Sequence, residues 1–409
     1  MWKGFMAMMV IGFSAEASAA CPASLFDRII PGTDNLGWVS FGSDFKLSNV
    51  DSTYAVVEGP TTTVNTSTIW RYSTANHSLV NSQTFDGNSG ESIAQLSNSG
   101  SNQWIVGFNW AGDYFRRLSS TLGFNGSAAE TFPTYYMATV DDVAGMPSSG
   151  NFVAVGTAVS GGGSYANQVL LAQYDSTGAM VTGWPKVIGT DTEVGYASVS
   201  TAVDPTLGEL IAVAWSSAAN GVWDIPTYVK FVVYRANGTV YAATRTVPDI
   251  NGIYADLYPD IAIVDGKIVI TFQRDIYNQC AQAMYQTWRL SGASYIAPTV
   301  LNGTDSSPCG FRPKVDAGVW NSNPYFAIAW APSETNSSDY GWWKAFRGVS
   351  APVLTTGPNF VSIVPVYRDN PINVEMATDC TGSPRVGLSF YSTTSGLRGQ
   401  HVTFQVANP

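Results

Sequence analysis

The stretch Tyr258–Gln273, YPDIAIVDGKIVITFQ, contains two short apolar runs on either side of Asp265-Gly266. β-Branched residues flanking an Asp-Gly pair predict a β-hairpin with a tight turn. The same pattern of proline, strand, turn and apolar strand recurs at 312–330, RPKVDAGVWNSNPYFAIAW, and at 370–390, NPINVEMATDCTGSPRVGLSF. One hairpin is therefore repeated along the chain, and the period of the repeat predicts the architecture.

The second strand of this hairpin ends in an aromatic residue at Trp215, Phe272, Trp330 and Phe390. The steps between these residues are 57, 58 and 60. Earlier copies of the strand follow Ser52, Asn102 and Gly150. Units of this length, each with about four short strands, are typical of propeller blades. The sequence therefore predicts an all-β, seven-bladed β-propeller with four-stranded blades; a propeller of six or eight blades, a long β-sandwich and a β-helix are the alternatives.

The last repeat is one strand short, because the chain stops at Pro409 after its third strand. The segment Ser24–Gly32, SLFDRIIPG, precedes the first repeat and has the composition of a strand. We expect this N-terminal strand to complete the last blade and so to close the ring, which would remove an exposed sheet edge.

Residues 1–20 have the features of a secretory signal peptide. Lys3 precedes a short apolar run, and small residues follow up to Ala19 and Ala20, after either of which cleavage is expected. The prediction is a secreted protein, extracellular or periplasmic, with residues 21–409 as a single propeller domain and no transmembrane segment. An apolar N-terminal strand and a lipoprotein anchored through Cys21 are the alternatives.

The charge balance limits the class of partner. The formal net charge is −10, with only 20 Lys and Arg residues in 409. Nucleic-acid affinity comes mainly from neutralising phosphates with basic residues. A nucleic-acid partner is therefore not expected, and we expect a monomer.

Four cysteines, Cys21, Cys280, Cys309 and Cys380, suggest disulfides in an exported protein. In a propeller, Cys280 and Cys309 lie in loops on the same rim of neighbouring blades. Cys21 and Cys380 lie on the opposite rim, where the termini meet. The predicted pairs are therefore Cys280–Cys309 and Cys21–Cys380, and the second pair would hold the ring closed.

Charged and aromatic residues of blades five to seven fall in the loops around one mouth of the predicted central channel, where ligands of such folds bind. The candidate ligand-binding residues are Tyr254, Asp256, Arg274, Arg312, Lys314, Arg368 and Asp369. The candidate acid–base residues, for an enzyme, are Tyr258, Asp275, Tyr277 and Tyr367. Arginine binds carboxylate or sulfate through paired hydrogen bonds, and tyrosine stacks on sugars or transfers protons. Alternatively, Arg–Asp pairs at blade ends only join neighbouring blades.

The remaining aromatic and histidine residues are weaker candidates. The repeated anchors at Trp215, Phe272, Trp330 and Phe390 are expected in the core between blades, whereas packing and sugar stacking are equally compatible with Trp110, Trp223, Trp342 and Trp343. His77 and His401, the only histidines, are expected to be structural. Their scarcity and the wide spacing of the cysteines predict no Cys/His metal site. No cofactor is indicated, and no motif indicates structural calcium.

In architecture, the repeats resemble the seven-bladed propellers of secreted glycan-binding and glycan-cleaving proteins. The resemblance extends over the whole mature chain and rests on no specific motif. The S-x-D-x-G-x-x-W box of sialidases is not found, and GFRP at 310–313 matches the sialidase FRIP motif only loosely. The signatures of WD40 repeats and the calcium loops of integrin-type blades are also missing. The resemblance implies a carbohydrate ligand and transfers no catalytic residue.

Three functions follow from these observations. The first is a secreted carbohydrate-recognition propeller that binds a neutral or acidic glycan at the channel mouth. The second is a polysaccharide lyase or glycosidase that acts on acidic polysaccharide through Tyr and Asp beside an arginine clamp. The third is an extracellular adhesion or protein-interaction propeller. Fold alone does not choose among them.

Overall fold

A computed structural model of the protein describes residues 28–29, 43–48, 51, 53–58, 66–74, 76, 78–86, 89–96, 103–109, 112–161, 165–218, 227–248, 254–276, 280–301, 310–331, 341–360, 372–378, 384–392 and 399–406. Every regular element in these ranges is a β-strand, as the composition predicts. No helix in the described ranges is long and apolar enough to cross a membrane.

The described strands form antiparallel units, which we number 1 to 7 in chain order. Strand β1 is Arg28–Ile29, and unit 1 contains β2 (Ser43–Leu47), β3 (Thr53–Glu58), β4 (Thr66–Ser73) and β5 (Leu79–Asp86). Unit 2 contains β6 (Ser89–Leu96), β7 (Gln103–Asn109), β8 (Asp113–Leu118) and β9 (Ala129–Glu130), and unit 3 contains β10 (Tyr136–Gly145), β11 (Phe152–Val159), β12 (Gln168–Tyr174) and β13 (Lys186–Thr190). Unit 4 contains β14 (Glu193–Asp204), β15 (Gly208–Ala218), β16 (Thr227–Arg235) and β17 (Val240–Thr246). Unit 5 contains β18 (Tyr254–Val264), β19 (Lys267–Ile276), β20 (Gln282–Arg289) and β21 (Thr299–Val300). Unit 6 contains β22 (Phe311–Trp320), β23 (Asn323–Ala331), β24 (Trp342–Arg347) and β25 (Val353–Phe360), and unit 7 contains β26 (Asn373–Thr378), β27 (Pro384–Ser392) and β28 (Gly399–Val406).

Within each unit, strands that follow one another in the chain are neighbours in the sheet. Units 4 and 5 form one eight-stranded sheet through a single parallel contact of Thr227 with Ala255. Strand β1 pairs antiparallel with β28, at the outer edge of unit 7. The first strands of successive units contact one another, and β26 also contacts β2. The first strands thus share a common axis, and the candidate site lies along it.

The hairpin of the opening stretch is confirmed as β18 and β19. Asp265 and Gly266 connect the strands with φ angles of 49° and 65°. Two successive left-handed residues produce a turn whose twist matches that of the flanking strands. Asp tolerates this conformation better than most side chains, and Gly has no Cβ to oppose it.

The repeated aromatic anchors are confirmed as core. Trp215, Phe272, Trp330 and Phe390 are each 1 % exposed or less. They pack in clusters that join neighbouring units, as Trp330 does between units 5 and 6. Trp342 and Trp343 are also buried in such clusters, so packing accounts for them. Trp110, Trp223 and His77 lie outside the described residues.

Cys280, two residues before the start of β20, is disulfide-bonded. Cys21, Cys309 and Cys380 lie outside the described residues. Both pairings therefore remain predictions.

Candidate functional site

One polar residue of each first strand lies at the same level along the shared axis. These residues, which we call the polar layer, are Asp44, Ser92, Asp142, Ser198, Asp260, Lys314 and Asn373. Their partners on the second strands are Val57, Gly107, Val155, Ala214, Thr271, Ala329 and Ser389, which occupy equivalent places in the repeat. The polar layer is therefore a product of the repeat and not of one loop.

Two serine hydroxyls connect three carboxylates of the polar layer. Ser92 Oγ lies 3.2 Å from Asp44 Oδ2 and 2.6 Å from Asp142 Oδ1. Ser198 Oγ lies 3.1 Å from Asp142 Oδ2 and 2.6 Å from Asp260 Oδ1. A hydroxyl has only one proton to donate. Complete hydrogen bonding therefore requires protons on the carboxyls as well as on the serines.

The electrostatic environment favours such protonation. Burial and the neighbouring Asp142 carboxylate raise the pKa of Asp44 to about 6. Burial likewise raises the pKa of Asp142. Lys314 Nζ lies 3.7 Å from Asp260 Oδ1. Burial alone would lower the Lys314 pKa, but Asp260, Asp142 and Asp44 together raise it. The polar layer thus keeps one lysine charged among several carboxyls that compete for it.

The same acids join successive units through the backbone. Asp44 Oδ2 accepts the Ile93 N–H at 2.8 Å, and Asp142 Oδ2 accepts the Val199 N–H at 2.8 Å. Asp260 Oδ2 accepts the Val315 N–H, also at 2.8 Å. Each of these carboxylates belongs to one unit and binds the first strand of the next. These carboxylates therefore hold neighbouring units together.

Two residues further along the first strands, Lys46 of unit 1 pairs with Glu375 of unit 7 at 2.6 Å. Asp316 Oδ2 accepts the Met376 N–H at 2.7 Å. Burial, with Asp316 nearby, raises the pKa of Glu375 to about 8 even though Lys46 opposes the shift. One lysine here faces two acids, so acidic groups outnumber basic groups at this level as well.

At one end of the axis, three large side chains form a stack that spans units 4 to 6. Tyr196, Tyr258 and Arg312 each occur two residues before a member of the polar layer, inside a β-bulge of the first strand. The Tyr196 and Tyr258 ring centroids are 4.2 Å apart, and the two ring planes are tilted by 44°. Arg312 Cζ lies 4.4 Å from the Tyr258 ring centroid, and Arg312 Nη2 lies 3.4 Å from the Tyr258 hydroxyl. We call this arrangement the rim stack.

The backbone of the rim stack is strained. The φ angles of Tyr196, Tyr258 and Arg312 are 55°, 51° and 43°, in the left-handed region that costs a residue with a Cβ about 1–2 kcal/mol. Gln273 Oε1 accepts the Arg312 N–H at 3.2 Å and supports the third bulge. Strain repeated at one level of three strands is characteristic of functional positions.

Exposed aromatic residues continue the rim stack toward unit 3. Tyr196 is 39 % exposed, Tyr136 is 66 % exposed and Tyr165 is 59 % exposed. Tyr136 begins β10, and Tyr165 lies between β11 and β12, so both are at the same end of the axis as the rim stack. Met137, beside Tyr136, is also exposed. We call the rim stack together with these exposed residues the aromatic arc.

The structure separates the sequence-predicted residues into different environments. Arg312 and Tyr258 are in the rim stack, and Lys314 is in the polar layer. Arg274 is 5 % exposed and forms two hydrogen bonds of 2.7 Å with Asp256, which is fully buried.

The other predicted residues lie near this pair or outside the described ranges. Tyr254 packs against Arg274, with the guanidinium 5.0 Å from its ring centroid. Asp275 Oδ1 accepts a hydrogen bond of 2.8 Å from the Gln273 side chain. The ligand-binding and acid–base roles of all these residues remain predictions. Tyr277, Tyr367, Arg368 and Asp369 lie outside the described residues.

Sequence reasoning missed Tyr136, Tyr165 and Tyr196 as candidates. Tyr196 had a detectable signal, because it precedes the serine of its repeat by the same two residues that separate Tyr258 from Asp260. The described residues contain no group of three or more His, Cys, Asp or Glu side chains arranged to hold a metal ion.

The sequence matches no protein-family model and no curated protein. Among solved structures, the Dos1 propeller is similar over 95 % of both chains, with 10 % identity and a TM-score of 0.52. An α-L-arabinanase of Penicillium chrysogenum covers 78 % of this chain and 92 % of its own, with 9 % identity and a TM-score of 0.47. The fucose-specific lectin of Aleuria aurantia covers 78 % and 96 %, with 12 % identity and a TM-score of 0.44.

The similarity to the Dos1 propeller shows the fold: this chain has the architecture of a β-propeller. At such low identity it shows nothing of function, and the other two structures are too distant to carry an argument. Any functional assignment must therefore rest on the site itself.

Proposed function

We propose that the protein is a carbohydrate-recognition propeller that binds a glycan on the aromatic arc. The observation that carries the proposal is the rim stack, in which Tyr258 contacts both Tyr196 and Arg312 across three units, beside exposed tyrosines. Flat aromatic faces pack well against the apolar faces of sugar rings, while the phenol groups bind hydroxyls. The arc also exposes aromatic surface that folding alone would bury.

The proposal includes a closed ring, in which units 1 to 7 are the seven blades of the propeller. Its support is the Lys46–Glu375 ion pair between units 1 and 7 and the pairing of β1 with β28. The proposal includes residues 21–409 as one secreted domain after removal of a signal peptide. In that arrangement the polar layer lines the central channel, and the aromatic arc surrounds one mouth of it.

The decisive experiment is retention of the mature protein on immobilised polysaccharides. We would use neutral β-glucan, xylan and galactomannan, and acidic polygalacturonate and alginate. Wild-type protein is expected to be retained by at least one of them, and Tyr196→Ala and Arg312→Ala are each expected to weaken that retention about tenfold, the effect of losing roughly 1.4 kcal/mol.

The matched control is Tyr241→Ala. Tyr241 lies on the outer strand of unit 4, with Arg235 Cζ 5.4 Å from its ring centroid. Tyr241 is therefore also a tyrosine in contact with an arginine, but it lies outside the rim stack. Equal loss with the control and the rim variants, or wild-type binding to none of the polysaccharides, would contradict the proposal and favour a protein-interaction role.

The same incubations test the enzyme alternative by mass spectrometry of the polysaccharides. Shortened chains would establish turnover, with added water indicating a hydrolase and unsaturated ends a lyase. Burial raises the pKa of Tyr196, and the contact with Tyr258 raises it further. A raised pKa keeps the Tyr196 hydroxyl protonated at neutral pH, so the phenolate needed for a general base is scarce, and we expect intact polysaccharides.

A further inference from the structure

Glu193 begins β14 three residues before Tyr196, and it is only 3 % exposed. Its Oε2 atom is buried and has no hydrogen-bond partner. A buried carboxylate oxygen without a partner is costly, because it loses hydration and gains nothing in return. Such a group in a folded protein requires an explanation.

A second buried oxygen without a partner lies on the neighbouring strand β15, diagonally across the ladder from Glu193. Ser216 is fully buried, and its Oγ has no hydrogen-bond partner. Glu193 is paired with Ala218 and Gly195 with Ser216. Paired residues in an antiparallel ladder share a face, and alternate residues return to that face. Glu193 and Ser216 are therefore diagonal neighbours, and the other two corners of that square of the ladder are Gly195, which has no side chain, and Ala218, which has only a methyl group.

These two oxygens lie next to the rim stack. The first-strand bulge that positions Tyr196 starts directly after Gly195. The charge of Glu193 contributes to the raised pKa of Tyr196, after burial and the contact with Tyr258. The N–H of Val194 donates a 2.8 Å hydrogen bond to the Ala166 carbonyl, which places the exposed Tyr165 beside the start of β14.

Lys230, a basic residue of the same unit, is engaged with another carboxylate. Lys230 Nζ lies 2.6 Å from Asp191 Oδ2, which also accepts the Ser217 hydroxyl. Ser217 lies on the face opposite to that of Ser216, because neighbouring residues of a strand alternate. Burial raises the pKa of Glu193, which is the expected response of a carboxyl without a cation.

We propose that Glu193 and Ser216 form a hydroxyl-binding subsite that selects a neutral sugar stacked on Tyr196. The carboxylate accepts hydrogen bonds, and the serine hydroxyl both donates and accepts one. A sugar hydroxyl supplies the matching donor and acceptor. Both oxygens are closed to solvent in this structure, so binding requires a small opening at the strained bulge of Tyr196 that admits one hydroxyl, while the ring remains on the exposed tyrosine.

The charge of the subsite defines the ligand class. A uronate or sulfate group at this position would face the Glu193 carboxylate, and like charges at short range disfavour binding. The proposal rests on the proposed glycan function and narrows it: the unit that contacts Tyr196 is uncharged.

The test compares Glu193→Gln and Ser216→Ala with wild type in affinity electrophoresis through gels containing β-glucan, xylan, galactomannan, polygalacturonate or alginate. Wild-type protein is expected to be retarded most by a neutral polysaccharide. Each variant is expected to lose about tenfold in affinity for it, the usual effect of one charge-assisted hydrogen bond. The melting temperature of Glu193→Gln without ligand is expected to equal or exceed that of wild type, because the variant removes a buried charge.

Three results would overturn the subsite. Wild-type affinity in both variants would mean that the two oxygens hold only an ordered water. A lower melting temperature for Glu193→Gln would make Glu193 structural, and strongest retardation by an acidic polysaccharide would reverse the ligand class. If Tyr196→Ala still loses affinity in these cases, the proposed glycan function stands and the subsite alone fails; if wild type binds nothing, both fail.

Discussion

Arg274 and Arg312 carry the same guanidinium group in different environments. The side chain of Arg274 is 6 % exposed and meets a carboxylate with no exposure at all. Arg312 instead lies over the ring of Tyr258 at the end of the shared axis. A buried bidentate pair mainly holds the structure, whereas Arg312 is partly exposed and lies on an aromatic ring at a position that solvent reaches.

Arg274→Ala is expected to destabilise the protein by about 3–5 kcal/mol, because it leaves Asp256 buried without its bidentate partner. Denaturant unfolding measures this change. The control is Lys267→Ala, whose partner Asp265 is 53 % exposed at its side chain; its effect should stay within about 1 kcal/mol. Unchanged stability of Arg274→Ala together with lost polysaccharide retention would instead make Arg274 a ligand residue, as the sequence predicts.

The first strands of units 4, 5 and 6 share one device, a bulge that interrupts the ladder two residues before the polar layer. An ordinary strand would alternate its side chains between the two packed faces. The bulge inserts an extra residue in the left-handed conformation and redirects its side chain. Each of these first strands thus supplies both an axial polar group and a rim residue from positions two residues apart.

The destabilisation caused by the left-handed bulge residue can be measured at Tyr196. Tyr196→Gly and Tyr196→Ala remove the same ring, but only glycine adopts a φ of 55° without a steric penalty. Tyr196→Gly is expected to be about 1 kcal/mol more stable than Tyr196→Ala in denaturant unfolding. The two variants should lose polysaccharide binding equally. A glycine variant less stable than the alanine variant would show that the bulge is not strained.

Acidic groups concentrated along one axis give the whole molecule a distinctive response to pH. Burial raises the pKa values of Asp44 and Asp141 to about 6 and that of Glu375 to about 8. The folded state therefore binds these protons more tightly than the unfolded chain, whose carboxyls titrate near pH 4. Their stabilising effect is complete below pH 4 and is lost as the pH rises through the folded-state values.

The melting temperature is expected to fall as the pH is raised from about 4 to about 8. Hydrogen bonds outweigh burial and lower the pKa values of Asp175 and Asp191. These two groups therefore change the melting temperature only below that pH range. Asp44→Asn keeps an acceptor for the Ile93 N–H but cannot ionise, so its melting temperature should fall less between pH 4 and pH 6. A wild-type melting temperature that rises across the range would contradict the assigned shifts.

The sequence by itself determined the all-β class, the repeat and the hairpin at Asp265-Gly266. It also placed Trp215, Phe272, Trp330 and Phe390 in the core. These features depend on residues close together in the chain: turn chemistry, strand alternation and one recurring aromatic position. Local physical chemistry is sufficient to specify them, and for the same reason the sequence could not separate a buried arginine from a rim arginine.

Only the tertiary structure decided the site. Tyr196, Tyr258 and Arg312 are separated by whole repeats, and they meet because three units pack side by side around one axis. Asp44 and Asp142 likewise share the hydroxyl of Ser92 only across unit boundaries. Aligning the repeats would have revealed the polar layer, but neither the contacts across it nor the left-handed bulges follow from sequence. Those depend on register shifts and burial, which arise only when the units pack against one another.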